Sequence, residues 1–580
     1  MDEEISLTER RIAYFSMEIG FDEAIPTYSG GLGVLAGDTL KACADLRLPI
    51  IGITLLSEKG YFTQTFNPQD GSQQESPTDW KPKEKLKLLP ARVSVIVEGR
   101  EVFVQAWQYN LKGYTGDSVP IIFLDTDLQE NGEEDRQLTW YLYGGDQRYR
   151  LKQEIVLGIG GIRMLKALGY DGIERYHMNE GHAALLALEL FKEHATMTSC
   201  QIGNNNDGSL NDCSKESISI VRKLCVFTTH TPVAAGHDKF PYEMVKEVFD
   251  EFIPLNTLKR LGGEDALNMT LLALNLSHYV NSVAKKHMDV SQHLFPGYHI
   301  SFITNGVHSA TWTSPPMAAV FDQYLPGWRF DSFELRHALS IPKEDIWTAH
   351  VAAKQALIDY VNQYYSAGFD KDAFTIGFAR RATAYKRAEL VFYDIARIKE
   401  IGRKRKIQII FGGKAHPRDT QGKELIQKIR WHMGEVADAV KCVYLENYDI
   451  GIAKLLIPGV DVWLNTPARP QEASGTSGMK AAHNGIPSFS VLDGWWIEGY
   501  TEGVTGWSIG PNPDEENERA NDDASDAKEL YDKLQNVILP MFYDDRDQWQ
   551  SIMRNSIAFN ASFFNTHRMV QQYALKAYLR

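Results

Sequence analysis

Short apolar runs alternate with longer amphipathic stretches along most of the chain, and this rhythm restricts the fold more than any other feature. One series comprises Ile12–Phe15, Ile50–Leu55, Val119–Leu124, Leu224–Phe227 and His299–Ile303. A second comprises Phe374–Phe378, Ile407–Phe411, Cys442–Leu445 and Val460–Leu464. Continuous apolar runs suit strands buried on both faces, and the intervals between them supply covering helices. The expected class is therefore α/β with parallel sheets. A single core stops growing at roughly 250–300 residues, so a 580-residue chain is expected to form two large domains. The join is expected near Asn305–Asp345, where HISFITNG gives way to an irregular stretch with Pro and Trp. Arg92–Trp107 departs from the rhythm. It alternates by twos around Glu98-Gly99 and predicts a β-hairpin added to the first domain. Gly203–Ser217 and Pro511–Asp526, rich in Asn, Asp, Ser and Gly, read as solvated loops.

The formal net charge of -14 argues against nucleic acid as the main ligand, because a phosphate backbone needs a basic surface. It leaves room for a small anion in a local basic pocket. The five cysteines, Cys43, Cys200, Cys213, Cys225 and Cys442, form no CxxC pair, so neither a zinc ribbon nor a disulfide framework is indicated. Reduced thiols in a cytoplasmic protein are expected. The acidic start MDEEISLTERR lacks the apolar core of a signal peptide, and no stretch of about 18 uncharged apolar residues could span a membrane.

Three motifs fall where strands are expected to end, which is where open α/β sheets bind ligands. Tyr28-Ser29-Gly30-Gly31-Leu32-Gly33 precedes a helical stretch from Val34. Its glycines permit close backbone approach, and a helix N-terminus offers free N–H groups to an anion. The same spacing also describes a tight structural turn. FARRATAYKR places Arg380, Arg381, Lys386 and Arg387 after a strand, at the expected first turn of a helix. Cations there oppose the helix dipole unless an anion joins them. A solvated basic face is the plain alternative. EASGTSGMK, from Glu472 to Lys480, has small residues suited to an anion-cradling loop, with Lys480 about one turn into a helix. An enclosed lysine has a depressed pKa and can bond to a carbonyl cofactor. An exposed lysine on a capped helix fits the pattern too. His177, His182, His230 and His237 do not have the spacing of a metal motif. Glu18, Glu180, Glu446, Glu472 and Asp493 are candidate carboxylates for acid–base work, and Trp495-Trp496 read as packing.

Taken together, these segments resemble the glycogen, starch and maltodextrin phosphorylases. The resemblance runs in order through TYSGGLGVLAGDTLKACADL, NEGHAAL, TTHTPVAAGHD, FITNGVHSATW, FARRATAYKR, FGGKAHP, YLENYDIGIAKLLIPGVDVWL and EASGTSGMKAAHNG. It implies two Rossmann-like domains facing across a cleft, the GT-B glycosyltransferase architecture. The domains would span 1–310 and 311–580, with the last helix, around Asn565–Tyr578, crossing back to the first. It implies reversible transfer of terminal α-1,4-linked glucose to inorganic phosphate, giving glucose 1-phosphate with retained configuration, and pyridoxal 5'-phosphate as cofactor. Residue by residue, Lys480 would carry the cofactor, and Arg380, Tyr448, Thr476 and Ser477 would surround its phosphate. Arg381 and Lys386 would hold substrate phosphate beside the backbone of Gly31 and Leu32. His230 and Asn305 would contact the terminal glucose, Glu472, Ser474 and Gly475 its other hydroxyls, and His182 would help form the site wall. The implied partners are an α-glucan or maltooligosaccharide and phosphate, with no metal, nucleic acid or membrane. A homodimer is left open.

The chain is much shorter than the animal enzymes, so their dimer contacts and nucleotide effector site are not expected to carry over, and it departs from them at single positions too. Thr383 and Ala384 replace His and an acid, Asp449 replaces Arg, and GTSGMK replaces GTGNMK. The chain starts almost at the strand before the Tyr28 loop, so phosphorylation control through a long N-terminal segment is not expected. A nucleotide-sugar-dependent glucan synthase of the same architecture is the alternative, and it has no use for a cofactor lysine. A glucan-binding protein without catalysis would not need every one of these positions filled.

Overall fold

The computed structural model describes residues 5–205, 209–250, 252–513 and 522–579. Among these, two sheets organise the molecule. The first contains β1 (Ile12–Phe15), β2 (Ile50–Leu55), β3 (Lys87–Val97), β4 (Arg100–Lys112), β5 (Ser118–Asp125), β6 (Arg175–Asn179), β7 (Cys225–Thr228), β8 (Tyr279–Ser282) and β9 (Ser301–Phe302). Their order is β9-β8-β7-β6-β1-β2-β5-β4-β3. The second contains β10 (Phe374–Ala379), β11 (Ile407–Gly412), β12 (Lys441–Leu445), β13 (Val462–Asn465), β14 (Ser488–Val491) and β15 (Gly506–Ile509), in the order β12-β11-β10-β13-β14-β15. The second sheet is parallel throughout. The first is parallel except at one edge, where β3, β4 and β5 run antiparallel. Arg92–Trp107 is indeed the centre of that hairpin.

Strand order reverses beside β1 in one sheet and beside β10 in the other. Such switch points leave a crevice at the carboxyl ends. Helix α1 (Gly31–Asp45) connects β1 to β2, and its first turn opens on this crevice in the first sheet. Helices α2 (Lys343–Tyr365) and α3 (Thr476–Ala482) serve the second sheet. Helix α4 (Thr566–Tyr573) returns to the first: Met569, Val570 and Tyr573 join its core. Tyr573 Oη lies 3.1 Å from Thr228 Oγ1 and accepts from Asn281 at 3.0 Å, and Tyr578 meets His177 Nδ1 at 2.7 Å. Backbone pairing between Val307 and the segment Phe564–Thr566 anchors the returning chain. Gly306 makes that crossing possible, since a Cβ there would stand 2.3 Å from the carbonyl carbon of Asn565.

Three expectations change. Residues Asp212–Ser217 are not loop but the first turns of a helix, Asp212–Leu224, capped by Asn211. Its apolar positions Ile218 and Val221 are buried against the first core, which outweighs the polar composition. The other expected loop, Pro511–Asp526, lies partly outside the described residues; Asp523–Asp526 already belong to the helix Asp523–Lys533. Cys200 and Cys213 are joined by a disulfide, with Cα atoms 5.8 Å apart. Their separation is too long for a CxxC motif, but the bridge between Asn204 and Leu210 folds the intervening chain back on itself. Cys43, Cys225 and Cys442 are free. No helix among the described residues is long and apolar enough to cross a membrane.

Asp461, fully buried before β13, ties α2 to β10. It accepts from Lys354 at 2.5 Å, His350 at 2.9 Å and the Thr375 backbone at 2.7 Å. Its pKa is held down because these partners outweigh the burial that opposes ionisation. Lys354→Met leaves this carboxylate without its cation, a change that costs about 3–5 kcal/mol in buried pairs. We expect a clear fall in the thermal unfolding midpoint for K354M. Adding Asp461→Asn should recover part of it in the same melting experiment.

Candidate active site

The crevices of the two sheets face each other across one cleft of about 340 Å³. Nearly every group lining it follows the carboxyl end of a strand. Tyr28–Leu32 follow β1, His230 follows β7, Asn305 follows β9, and Arg380 and Arg381 follow β10. Gly413 and Lys414 follow β11, Tyr448 follows β12, and the segment from Gln471 to Lys480 follows β13. Every expected site residue except His182 lines this cleft. His182 is buried behind it, where its Nε2 accepts the Met17 N–H at 2.9 Å. Strand β6 ends three residues before it, and His182 sits in the 3-10 turn Gly181–Ala183 that follows.

The glycine loop rests on a buried carboxylate. Glu18 accepts from the Ser29 N–H at 2.6 Å, from the Gly30 N–H at 3.3 Å and from Tyr143 Oη at 2.8 Å. A Cβ at Gly33 would stand 2.6 Å from Glu18 Oε2, so the loop can close on this acid only with glycine there. The first turn of α1, with Gly31 exposed, then faces the cleft.

The basic cluster differs from its expected setting. After Ala379 the chain runs extended and makes one 3-10 turn, Ala384–Lys386, so the cations do not begin an α-helix. Their charge is balanced otherwise. Glu472 Oε2 lies 2.6 Å from both Arg380 Nη2 and Lys386 Nζ. Burial favours the neutral acid, but Arg380 and Lys386 win and bring the Glu472 pKa down to about 2. Arg387 leaves the cleft to pair with Asp523 and Asp526. Arg381 alone of the four has neither an ion pair nor a hydrogen bond among the described residues. Its guanidinium borders the glycine loop: a Cβ at Gly30 would lie 3.7 Å from Nη2. A free cation beside an open helix turn is a site for an anion.

Lys480 is the fifth residue of α3, which starts after Gly475 at φ +86°. It is buried, with Nζ 3.8 Å from the centre of the Trp312 ring. Burial lowers its pKa to about 8, which makes the free amine accessible near neutral pH. Thr476 and Ser477 open the same helix, and Tyr448 packs over Gly412 nearby. Two buried polar atoms in the cleft wall, Asn305 Oδ1 and Ser474 Oγ, have no hydrogen-bond partner among the described residues, although such groups are normally paired. They suit a hydroxyl-rich ligand. Sequence reasoning overlooked Trp312, which sat in the quoted FITNGVHSATW segment, and Lys414, whose pKa burial lowers to about 8. It also gave no partner for Asp493, which holds the Glu472 N–H at 2.8 Å and whose pKa is raised by burial to about 7.

A family model for carbohydrate phosphorylases matches residues 255–504. The maltodextrin phosphorylase of Thermococcus litoralis is 40% identical over 98% of this chain and 70% of its own. The chain belongs to the carbohydrate phosphorylase family. The glycogen phosphorylase of Aquifex aeolicus is 34% identical over 98% of this chain and 86% of its own. An uncharacterised protein of Methanocaldococcus jannaschii is 30% identical over 98% and 99% of the two chains. Membership brings with it the two-sheet GT-B architecture that the fold displays.

The Glu472 arrangement has a testable consequence for a phosphorylase. Glu472→Gln leaves Arg380 and Lys386 buried without their counter-charge. The variant should melt lower than wild type, and inorganic phosphate or sulfate should raise its midpoint more than that of wild type, since binding to the folded state stabilises it. Equal anion response in the two proteins, read by calorimetry, would show that these cations do not share one anion site.

Proposed function

We propose that this phosphorylase catalyses reversible phosphorolysis of the terminal α-1,4-linked glucose of glycogen, starch or maltodextrin, releasing glucose 1-phosphate with retained configuration. The observation that carries this reading is one cleft holding both a buried lysine of lowered pKa and an unpaired arginine beside a glycine loop. A nucleotide-sugar-dependent synthase would need no lysine enclosed in this way. On the same reading, residues 1–310 and 311–580 are the two domains, and the final helix belongs structurally to the first.

The cofactor in this reading is pyridoxal 5'-phosphate. The residues fit it: Lys480 for its aldehyde carbon, and Arg380, Tyr448, Thr476 and Ser477 for its phosphate. When bound, it supplies a phosphate monoester with a second pKa near about 6, able to give and take a proton near neutral pH. Arg381 and Lys386 hold inorganic phosphate against the Gly31 and Leu32 backbone. Two phosphates brought together repel, and the surrounding cations offset that repulsion. Glu472 links the two halves of the substrate. It now holds Arg380 and Lys386, so an arriving anion competes for these cations and leaves the carboxylate able to accept from glucose hydroxyls. His230 and Asn305 contact the same sugar, with Ser474 and Gly475 on its other side.

Release of glucose 1-phosphate from maltooligosaccharides of increasing length, measured with and without phosphate, tests the reaction itself. Phosphate-independent hydrolysis alone would refute it. Arg381→Ala is the cleaner anion-site variant, because Arg381 has no structural partner to lose. A charge-assisted contact is worth about 1.5–3 kcal/mol, so R381A should lose at least ~10-fold in phosphate-dependent efficiency, and K386A similarly. Wild-type kinetics in both would make the cluster a solvated face. Borohydride reduction and peptide mapping should place the pyridoxyl group on Lys480, and label on another lysine would move the site.

A further inference from the structure

The segment His308–Ser314 lies between α1 and α3 and is pinned from both. From α3 and the residues after it, Ser309 Oγ meets His483 Nε2 at 2.9 Å, and Asn484 donates to the Trp312 carbonyl at 2.8 Å and accepts from the Ser314 N–H at 2.8 Å. From α1, Asp38 Oδ2 accepts the Trp312 Nε1–H at 2.6 Å and the His308 N–H at 3.2 Å. Asp38 is 2% exposed and lies two turns along the helix whose first residues, Gly31 and Leu32, face the cleft. The Trp312 ring is the surface on which Lys480 Nζ rests, 3.8 Å from its centre. An indole can serve as such a platform in any of several orientations, and a single short hydrogen bond to a buried carboxylate selects one.

We propose that Asp38 is a positioning residue for Lys480: it fixes the Trp312 ring beneath the amine and supplies a negative charge that favours the ammonium. The inference rests on Lys480 being the reactive lysine of the proposed function. Charge and geometry agree. Burial lowers the Lys480 pKa, Asp38 opposes that fall, and Lys41, also on α1, adds to it. His308 and His483, the titratable groups on the segments either side, have lowered pKa values through burial and stay neutral near pH 7. Lys41 is half-buried and donates to Thr311 Oγ1 at 3.1 Å, one residue from Trp312. A single helix thus sets both the backbone that faces the sugar phosphate and the protonation of the lysine.

The test uses the full-length apo chain and pyridoxal 5'-phosphate, with attachment to Lys480 followed by borohydride trapping and mass mapping across pH. Asp38→Asn keeps an acceptor for Trp312 but removes the charge. Its midpoint for attachment should fall by about half a pH unit or more, because the amine loses a group that stabilised its charged form. Trp312→Phe keeps a ring beneath the amine but removes the N–H that orients it. Its midpoint should stay and its limiting attachment rate should fall several-fold. A merely structural role for Asp38 would lower yield in both variants without moving either midpoint. An unchanged D38N midpoint, or a wild-type rate in W312F, overturns the proposal while leaving the functional reading intact. Absence of label on Lys480 in the wild-type chain removes that reading, and this inference with it.

Discussion

Everything at the cleft depends on two parallel sheets presenting their carboxyl ends to one another. Parallel strands concentrate ligand-binding loops at one edge, but they do not bring two such edges together. Here the backbone pairing of Val307 with Phe564–Thr566 does so. Arg568 reinforces it by donating to the carbonyls of Thr304 and Asn305 at 2.5 and 2.9 Å. The loop that carries Asn305 to the cleft is therefore held in place by the returning helix. Asp45 adds a third tie, accepting from His308 at 2.7 Å and from His567 at 3.0 Å. Their hydrogen bonds outweigh burial and keep this carboxylate ionised.

The electrostatics follow from enclosure. Removing Arg380, Lys386 and Lys480 from bulk water makes each charge expensive, and the structure answers in two ways. Arg380 and Lys386 receive Glu472 as a shared counter-ion. Lys480 receives none in direct contact, and its pKa falls instead. The difference separates two cations held charged by a shared acid from one whose neutral form is brought within reach of neutral pH. Asp493, beneath the Glu472 backbone, shows the same rule from the acid side, since burial raises it toward neutrality.

How far the sequence revealed this depended on whether a feature was local. Continuous apolar strands such as Ile50–Leu55 and Ile407–Phe411 were plain, because they are buried on both faces and carry that burial in their composition. Arg175–Asn179, RYHMN, was not legible as a strand. Its His177 is satisfied by Thr228 and by Tyr578, far away in the chain, so no local pattern marks it. The glycine loop and the lysine segment stood out because tight backbone approach demands small residues in sequence. The basic cluster was visible too, but its setting was misread, as nothing in FARRATAYKR distinguishes a helix start from an extended loop with one 3-10 turn. Asp38 was passed over for the same reason that it matters: its partner Trp312 is 274 residues further along.

Helix α4 has a consequence for the order in which the molecule is completed. Met569, Val570 and Tyr573 fill the core of the sheet whose first strand begins at Ile12. That sheet is translated early, yet part of its interior is supplied by residues translated after the whole second sheet. Domains generally fold as units as they emerge from the ribosome. Here the first one must wait with an apolar groove open, so the half of the protein made first is the half that finishes last.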